Sequence, residues 1–233
     1  MDCENYAWNA APATPYSTQD VQGAPMAMIT DRFSALLADF DLTALDRHAS
    51  SVLAVDRALS IGYLNDGWFR FAAENGGEPA IAEHWGLGSS LWSAIPAPLQ
   101  GYFANLFARA FALNPETELH PLLHHYECSS PERHRHCTLG IYSLKKGEGL
   151  LLVHSVRVER PWSSEERETV PGHGYTNQSG LTLQCSNCRR VRFDQDDRQW
   201  HYVPDWIRTS PPKTSHGLCP VCLDYYYPGS REP

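Results

Sequence analysis

The chain has 233 residues, 42% of them hydrophobic and 20% charged, with a formal net charge of −8. That length holds one ordinary domain plus a small one, and that composition is globular rather than fibrous or disordered. The acidic balance excludes a global field that would draw the chain to nucleic acid or to an anionic membrane.

Residues 1–28 are rich in Ala, Pro, Thr and Asn without a period, which predicts a disordered tail; Tyr6 and Trp8 are two of its aromatic residues. Residues 29–47 predict a flanking helix started by Thr30 or Asp31, with Phe33, Leu36, Leu37 and Phe40 forming an apolar stripe. Residues 51–56 and 59–64 then read as two strands joined by a short turn. Asn65 and Asp66 can cap a helix carrying Trp68, Phe69 and Phe71 that ends at Asn75, Gly76 and Gly77. Pro98 to Leu113 predicts the longest helix, stopped by Asn114 and Pro115. Residues 119–128, 134–144 and 150–159 are three further strands, the last two joined by a turn at residues 146–149. This order implies an α+β fold in which residues 48–160 form a five-stranded antiparallel sheet with helices on one face. Polar, acidic residues 161–180, with Glu165, Glu166, Glu168 and His173, read as a linker. Residues 181–227 form a small C-terminal unit whose hairpin turns at residues 194–199.

That unit holds the sharpest signal. Cys185-Ser186-Asn187-Cys188 and Cys219-Pro220-Val221-Cys222 are two CxxC clamps. A CxxC turn presents two thiolates on one side of a tight loop, and two such turns complete a tetrahedron of soft sulfur ligands that suits zinc. The 30 intervening residues exceed the common spacing of such sites but accommodate two pinned hairpins. The competing reading is two unrelated pairs of free or redox thiols. A unit this small has little core, so metal supplies much of its folding energy. Residues 181–233 contain seven Lys or Arg against six Asp or Glu, so they carry +1 and residues 1–180 carry −9.

The order of elements over roughly residues 48–160 resembles a PAS domain. The resemblance is carried by Val52 to Asp56, by Ile61-Gly62-Tyr63-Leu64-Asn65 ahead of a helix, by Tyr126 to Pro131 with Arg133, and by Leu151 to Ser155. Cys185 to Arg192, Trp200, Tyr202 and Ser215 to Cys222 look like the cysteine-rich tail that follows PAS or receiver modules in some bacterial signalling proteins. The resemblance implies a sensory or signalling role without naming the signal. The flavin-photosensor pattern is absent, since Asn187-Cys188-Arg189-Arg190 sits inside a clamp. No output domain is evident, so a signal leaves through a protein partner or a second copy of the chain, for which the stripe Phe33 to Phe40 is one candidate surface; the other reading of the stripe is a cover over the open sheet.

Among eleven histidines, His120, His124, His125, His134 and His136 cluster. Imidazole ligates iron and zinc, so haem or a second metal is the sharp reading and ordinary strand histidines the plain one. On a strand His124 and His125 face opposite sides, whereas His134 and His136 share one. His154 reads as a core histidine. His216 either replaces a cysteine ligand or donates to a sulfur. His125-Tyr126-Glu127 has the His-x-Glu of zinc deaminases but lacks the Pro-Cys-x-x-Cys partner, and two full clamps leave no open position for water. Arg189, Arg190 and Arg192 are either a phosphate contact or counter-charges to a zinc tetrathiolate, and Asp194, Asp196 and Asp197 beside them favour the latter.

The sequence therefore predicts a non-enzymatic signalling protein with a structural zinc at Cys185, Cys188, Cys219 and Cys222. Its PAS-like sheet would hold a small ligand or haem, or serve as a dimer and partner surface, with Trp68, Phe71, Trp85, Trp92 and Phe103 able to pack the pocket shut; the zinc ribbon would be a docking module. The alternative is a transcription-linked regulator that binds DNA through the zinc ribbon. An apolar run too short to cross a bilayer, the absence of a secretory signal at the N-terminus, and an odd cysteine count predict the cytoplasm.

Overall fold

The computed structural model describes residues 28–77, 84–114, 120–163 and 174–230. The tail with Tyr6, Trp8 and Cys3, and the linker residues Glu165, Glu166, Glu168 and His173, lie outside them. The chain is mixed α+β, with two sheets.

The first sheet has six strands in the order β1 (Met28–Ile29), β3 (Ile61–Leu64), β2 (Ser51–Asp56), β6 (Gly149–Pro161), β5 (Arg133–Leu144) and β4 (Leu122–Glu127). All its pairs are antiparallel. The sixth strand, β1, extends the five expected from sequence by pairing Met28 and Ile29 with Leu64 and Tyr63. The turn between β5 and β6 is tight because Lys145, Lys146 and Gly147 all take positive φ. A Cβ on Gly147 would lie 2.3 Å from the Phe111 carbonyl oxygen, so glycine is required there.

Both faces of this sheet are covered, not one. Leu53, Val55, Ile61, Leu139, Ile141, Leu150 and Leu152 face α3 (Asp66–Glu74) and α4 (Ala97–Ala112) in one cluster. Val52, Ala54, Tyr63, Leu144 and Leu151 face the opposite way, against Phe33, Leu36 and Leu37. The expected flanking helix is thus a lid, and it is broken in two: α1 (Asp31–Leu36) and α2 (Leu42–Asp46). The Asp41 side chain accepts from the Ala44 amide at 3.1 Å and starts the second helix. Because α1 ends at Leu36, Phe40 leaves the stripe and is 40% exposed. The rest of the stripe is spent inside the chain.

The lid sits very close to the sheet. A Cβ on Gly62 would lie 1.9 Å from the Phe33 ring. Gly62→Ala is expected to push α1 off β3 and destabilise the chain by about 1–3 kcal/mol, the usual cost of overpacking. Urea denaturation followed by far-ultraviolet circular dichroism checks this; an unchanged midpoint would mean that the lid does not seal the sheet.

The second sheet has the order β10 (Thr214–Gly217), β7 (Thr182–Cys185), β8 (Val191–Phe193) and β9 (Asp196–His201). β10 runs parallel to β7, and the other pairs are antiparallel. The hairpin turn is shorter than expected, since Phe193 already faces Asp196. Two short helices, α5 (Asp205–Arg208) and α6 (Pro220–Tyr226), complete the unit. Both ends of the expected linker belong to folded structure. Trp162 packs on Tyr202 and Ile207, and its indole N–H donates to the Ser130 carbonyl at 2.8 Å. Tyr175 is buried against Val191 and Val203.

The two sheets are not separate cores. The cluster that fills the α4 face of the large sheet continues into Cys185, Cys188, Cys219, Cys222 and Tyr226. Phe103 and Phe107 are at its centre, and Trp68 and Trp85 are buried in it, with Trp92 packed against it.

Candidate metal centre

The four clamp cysteines converge, as the spacing predicts. Cys185 ends β7, and the Arg189 amide donates to its carbonyl at 3.2 Å, which closes the first clamp. Arg189 takes a left-handed φ of 64°. Its buried guanidinium is anchored to Gln184 Oε1 at 2.9 Å and Ser210 Oγ at 3.0 Å, contacts that hold this strained backbone in place. The second clamp arrives through the parallel pairing of β10 with β7, which sets Gly217 beside Cys185. The Ser186 amide donates to the Gly217 carbonyl at 2.7 Å. Cys219 then caps α6, and its sulfur accepts from the Cys222 amide at 3.5 Å. The long gap between clamps is filled by β8, β9, α5 and β10.

All four thiols are buried, and their sulfurs lie within 4.8 Å of one another. Cys188 and Cys219 have their sulfurs 3.6 Å apart. That is far too long for a disulfide and close to the roughly 3.8 Å edge of a tetrahedron with zinc–sulfur bonds of about 2.3 Å. The donor set and its spacing fit a tetrahedral metal. Bare thiols this close oppose one another: hydrogen bonds from Cys185, Cys188 and Cys222 hold Cys219 well below the usual thiol range. Contacts to Cys185 foremost, and to Cys219, push Cys188 and Cys222 above it. A divalent cation removes this conflict by allowing all four to ionise.

Donors surround the sulfurs. Asn187 Nδ2 donates to Cys222 Sγ at 3.3 Å, and Arg190 Nη1 to Cys188 Sγ at 3.5 Å. The Arg190 guanidinium also stacks 4.4 Å from the Tyr202 ring and lies 3.7 Å from Glu127 Oε1. Of the three clustered arginines, then, Arg189 and Arg190 both point into the unit, and Arg190 is the one in contact with a sulfur. His216 is not among the groups close enough to ligate with the cysteines; its Nε2 faces Ser210 Oγ at 3.5 Å.

A hydrogen-bonded chain joins this centre to the large sheet, and sequence reasoning did not find it. Asn187 Oδ1 accepts from the Tyr226 hydroxyl at 2.8 Å, and that hydroxyl lies 3.4 Å from His124 Nε2. His124 Nδ1 lies 3.2 Å from the Tyr102 hydroxyl on α4. One set of donors satisfies every link: Tyr102 donates to His124, His124 to Tyr226, Tyr226 to Asn187, and Asn187 to the sulfur. The participants are far apart in sequence, so only the Asn inside the CxxC clamp hinted at the chain. Both ring nitrogens of His124 are engaged within the protein. His125 is on the other face, bonded to Thr138 Oγ1 at 2.9 Å.

Burial pushes His124 down to about 3 from its ordinary 6.5. The unfolded chain therefore binds the proton first as pH falls. The stability conferred by neutral His124 is complete above about pH 6.5 and is lost toward pH 3, at up to about 1.4 kcal/mol per pH unit. Comparing urea midpoints of the parent and of His124→Gln between pH 7 and pH 5 is expected to show the shallower slope in the variant. Equal slopes would mean that another group governs this range.

Cys128 is disulfide-bonded, and Cys137 is a buried free thiol pushed up to about 11 by burial. The chain matches no protein-family model and no curated protein.

Proposed function

We propose that this chain is a non-enzymatic signal-transduction protein in which a PAS-like sheet domain carries a zinc-ribbon-like docking unit. The observation that carries this reading is the hydrogen-bonded chain from Cys222 through Asn187, Tyr226 and His124 to Tyr102. It gives the metal centre and the longest helix of the sheet domain a common set of contacts, so a change at one is felt by the other. The antiparallel sheet with α3 and α4 on one face agrees with what the PAS resemblance implies. Burial of Trp68, Trp85 and Phe103 in the sheet's main cluster favours partner contacts over a small ligand or haem as the sheet's role. On α6, Val221 and Tyr225 are 68% and 49% exposed one turn apart, an apolar edge suited to a protein partner or a second copy. The inward arginines and the acidic chain speak against the DNA-binding alternative.

We place the protein in the cytoplasm, where the four thiols stay reduced for the metal. Among the described residues no helix is long and apolar enough to cross a membrane. The bond at Cys128 is the feature that speaks for an oxidising setting. Alkylation of thiols trapped at lysis, read by mass spectrometry, decides between them.

The test of the signalling reading is hydrogen exchange on the intact chain with and without a zinc chelator. Metal removal is expected to raise exchange in α4 and β4 as well as in the cysteine unit. Loss confined to residues 182–226 would overturn the coupling. Binding of a DNA duplex that weakens steeply with salt would instead support the regulator.

A further inference from the structure

We infer that Glu127, His134 and His136 form a second, exchangeable site for a borderline divalent transition cation such as zinc, cobalt or nickel. The ligating atoms of these residues lie within 4.8 Å of one another. The strand register brings them together: Glu127 of β4 is paired with His136 of β5, and His134 lies two residues away on the same face. The two imidazoles meet edge to face with centroids 4.6 Å apart. Two histidines and one carboxylate select transition cations over magnesium or calcium, which need an oxygen cage. His134 is buried, Glu127 half-buried and His136 exposed, so solvent and exchanging ligands approach from one side.

The surroundings orient the ligands. Trp162 and Tyr202 pack on His134 at centroid distances of 4.9 and 5.8 Å. The Tyr202 hydroxyl donates to one Glu127 oxygen, and Arg190 lies 3.7 Å from the other. Hydrogen bonds of this kind hold a carboxylate ligand in place. Arg190 also repels a cation, and it is the same guanidinium that serves Cys188. A site of three protein ligands beside a guanidinium holds its ion less tightly than four thiolates do, hence its exchangeability. The assignment does not depend on the signalling reading.

The experiment uses the intact chain with zinc preloaded, titrated with cobalt. A second equivalent is expected to bind, with weak visible bands and without the intense near-ultraviolet band that cobalt–thiolate coordination produces. A mild chelator is expected to remove it while the zinc stays. His136→Ala, at an exposed position, and Glu127→Gln are each expected to abolish the second equivalent without loss of zinc. The assignment is overturned if no second equivalent binds, if the second equivalent survives both substitutions, or if the cobalt spectrum is that of a thiolate site.

Discussion

If the four cysteines hold a structural zinc, Cys222→Ser is expected to abolish metal binding and unfold residues 182–226, with loss of most of the roughly 10–16 kcal/mol that such an ion contributes to a small unit. Apart from the core that the cysteines and Tyr226 share with the large sheet, the unit has little else to hold it. Its own apolar clusters are Tyr175, Val191 and Val203, and Tyr202 and Ile207 with Trp162. A unit of that size rarely folds on its apolar contacts alone. The serine hydroxyl is a poor ligand for a soft tetrahedral site, and the three remaining thiols return to the conflict of neighbouring charges. The large sheet is expected to suffer as well, because Tyr226 packs edge-on against Tyr102 at 4.8 Å and the cysteines continue its core. Elemental analysis after desalting reports the metal, and tryptophan fluorescence in urea reports the stability. A variant that keeps stoichiometric zinc and the parent midpoint would show that the centre is not structural.

Asn65→Ala is expected to destabilise the large sheet by on the order of 4 kcal/mol, since each buried group left without its partner costs about 1–3 kcal/mol. Asn65 is fully buried and its side chain joins three segments. Oδ1 accepts from the Val52 amide at 2.8 Å and the Trp68 amide at 2.9 Å. Nδ2 donates to the carbonyls of Leu45, His48 and Ser50 at 3.2, 3.3 and 3.0 Å. It therefore ties the end of the lid to β2 and to the start of α3. Asn65→Asp is expected to be at least as harmful, because a carboxylate would face three carbonyl oxygens in a buried place. Equilibrium unfolding of both variants in urea is the measurement. A loss below about 1 kcal/mol for Asn65→Ala would reduce its role to that of an ordinary helix cap.

Local features of this chain are legible without a structure. The helix predicted from Pro98 to Leu113 spans Ala97–Ala112, because its apolar face repeats at the helical period and Asn114 with Pro115 ends it. The cap at Asn65, the turn at Gly147 and the two cysteine clamps are likewise encoded within a few residues each. The covered second face was also readable in principle: Val52 to Val55 and Leu150 to Val153 are unbroken apolar runs, the pattern of strands buried on both sides.

What the amino-acid sequence determined by itself was the type and order of most elements and the cysteine cluster, since periodicity, caps and clamp spacing act over one or two turns of chain. Only the tertiary structure decided that the N-terminal stripe would close over the sheet, that Trp162 and Tyr175 would leave the linker for folded clusters, and that the cysteine unit would share the sheet's core. The same holds for the chain from Cys222 to Tyr102 and for the meeting of Glu127 with His134 and His136. Each of these joins side chains on different elements, and their proximity is set by strand register and by competition for buried surface, which no local pattern contains.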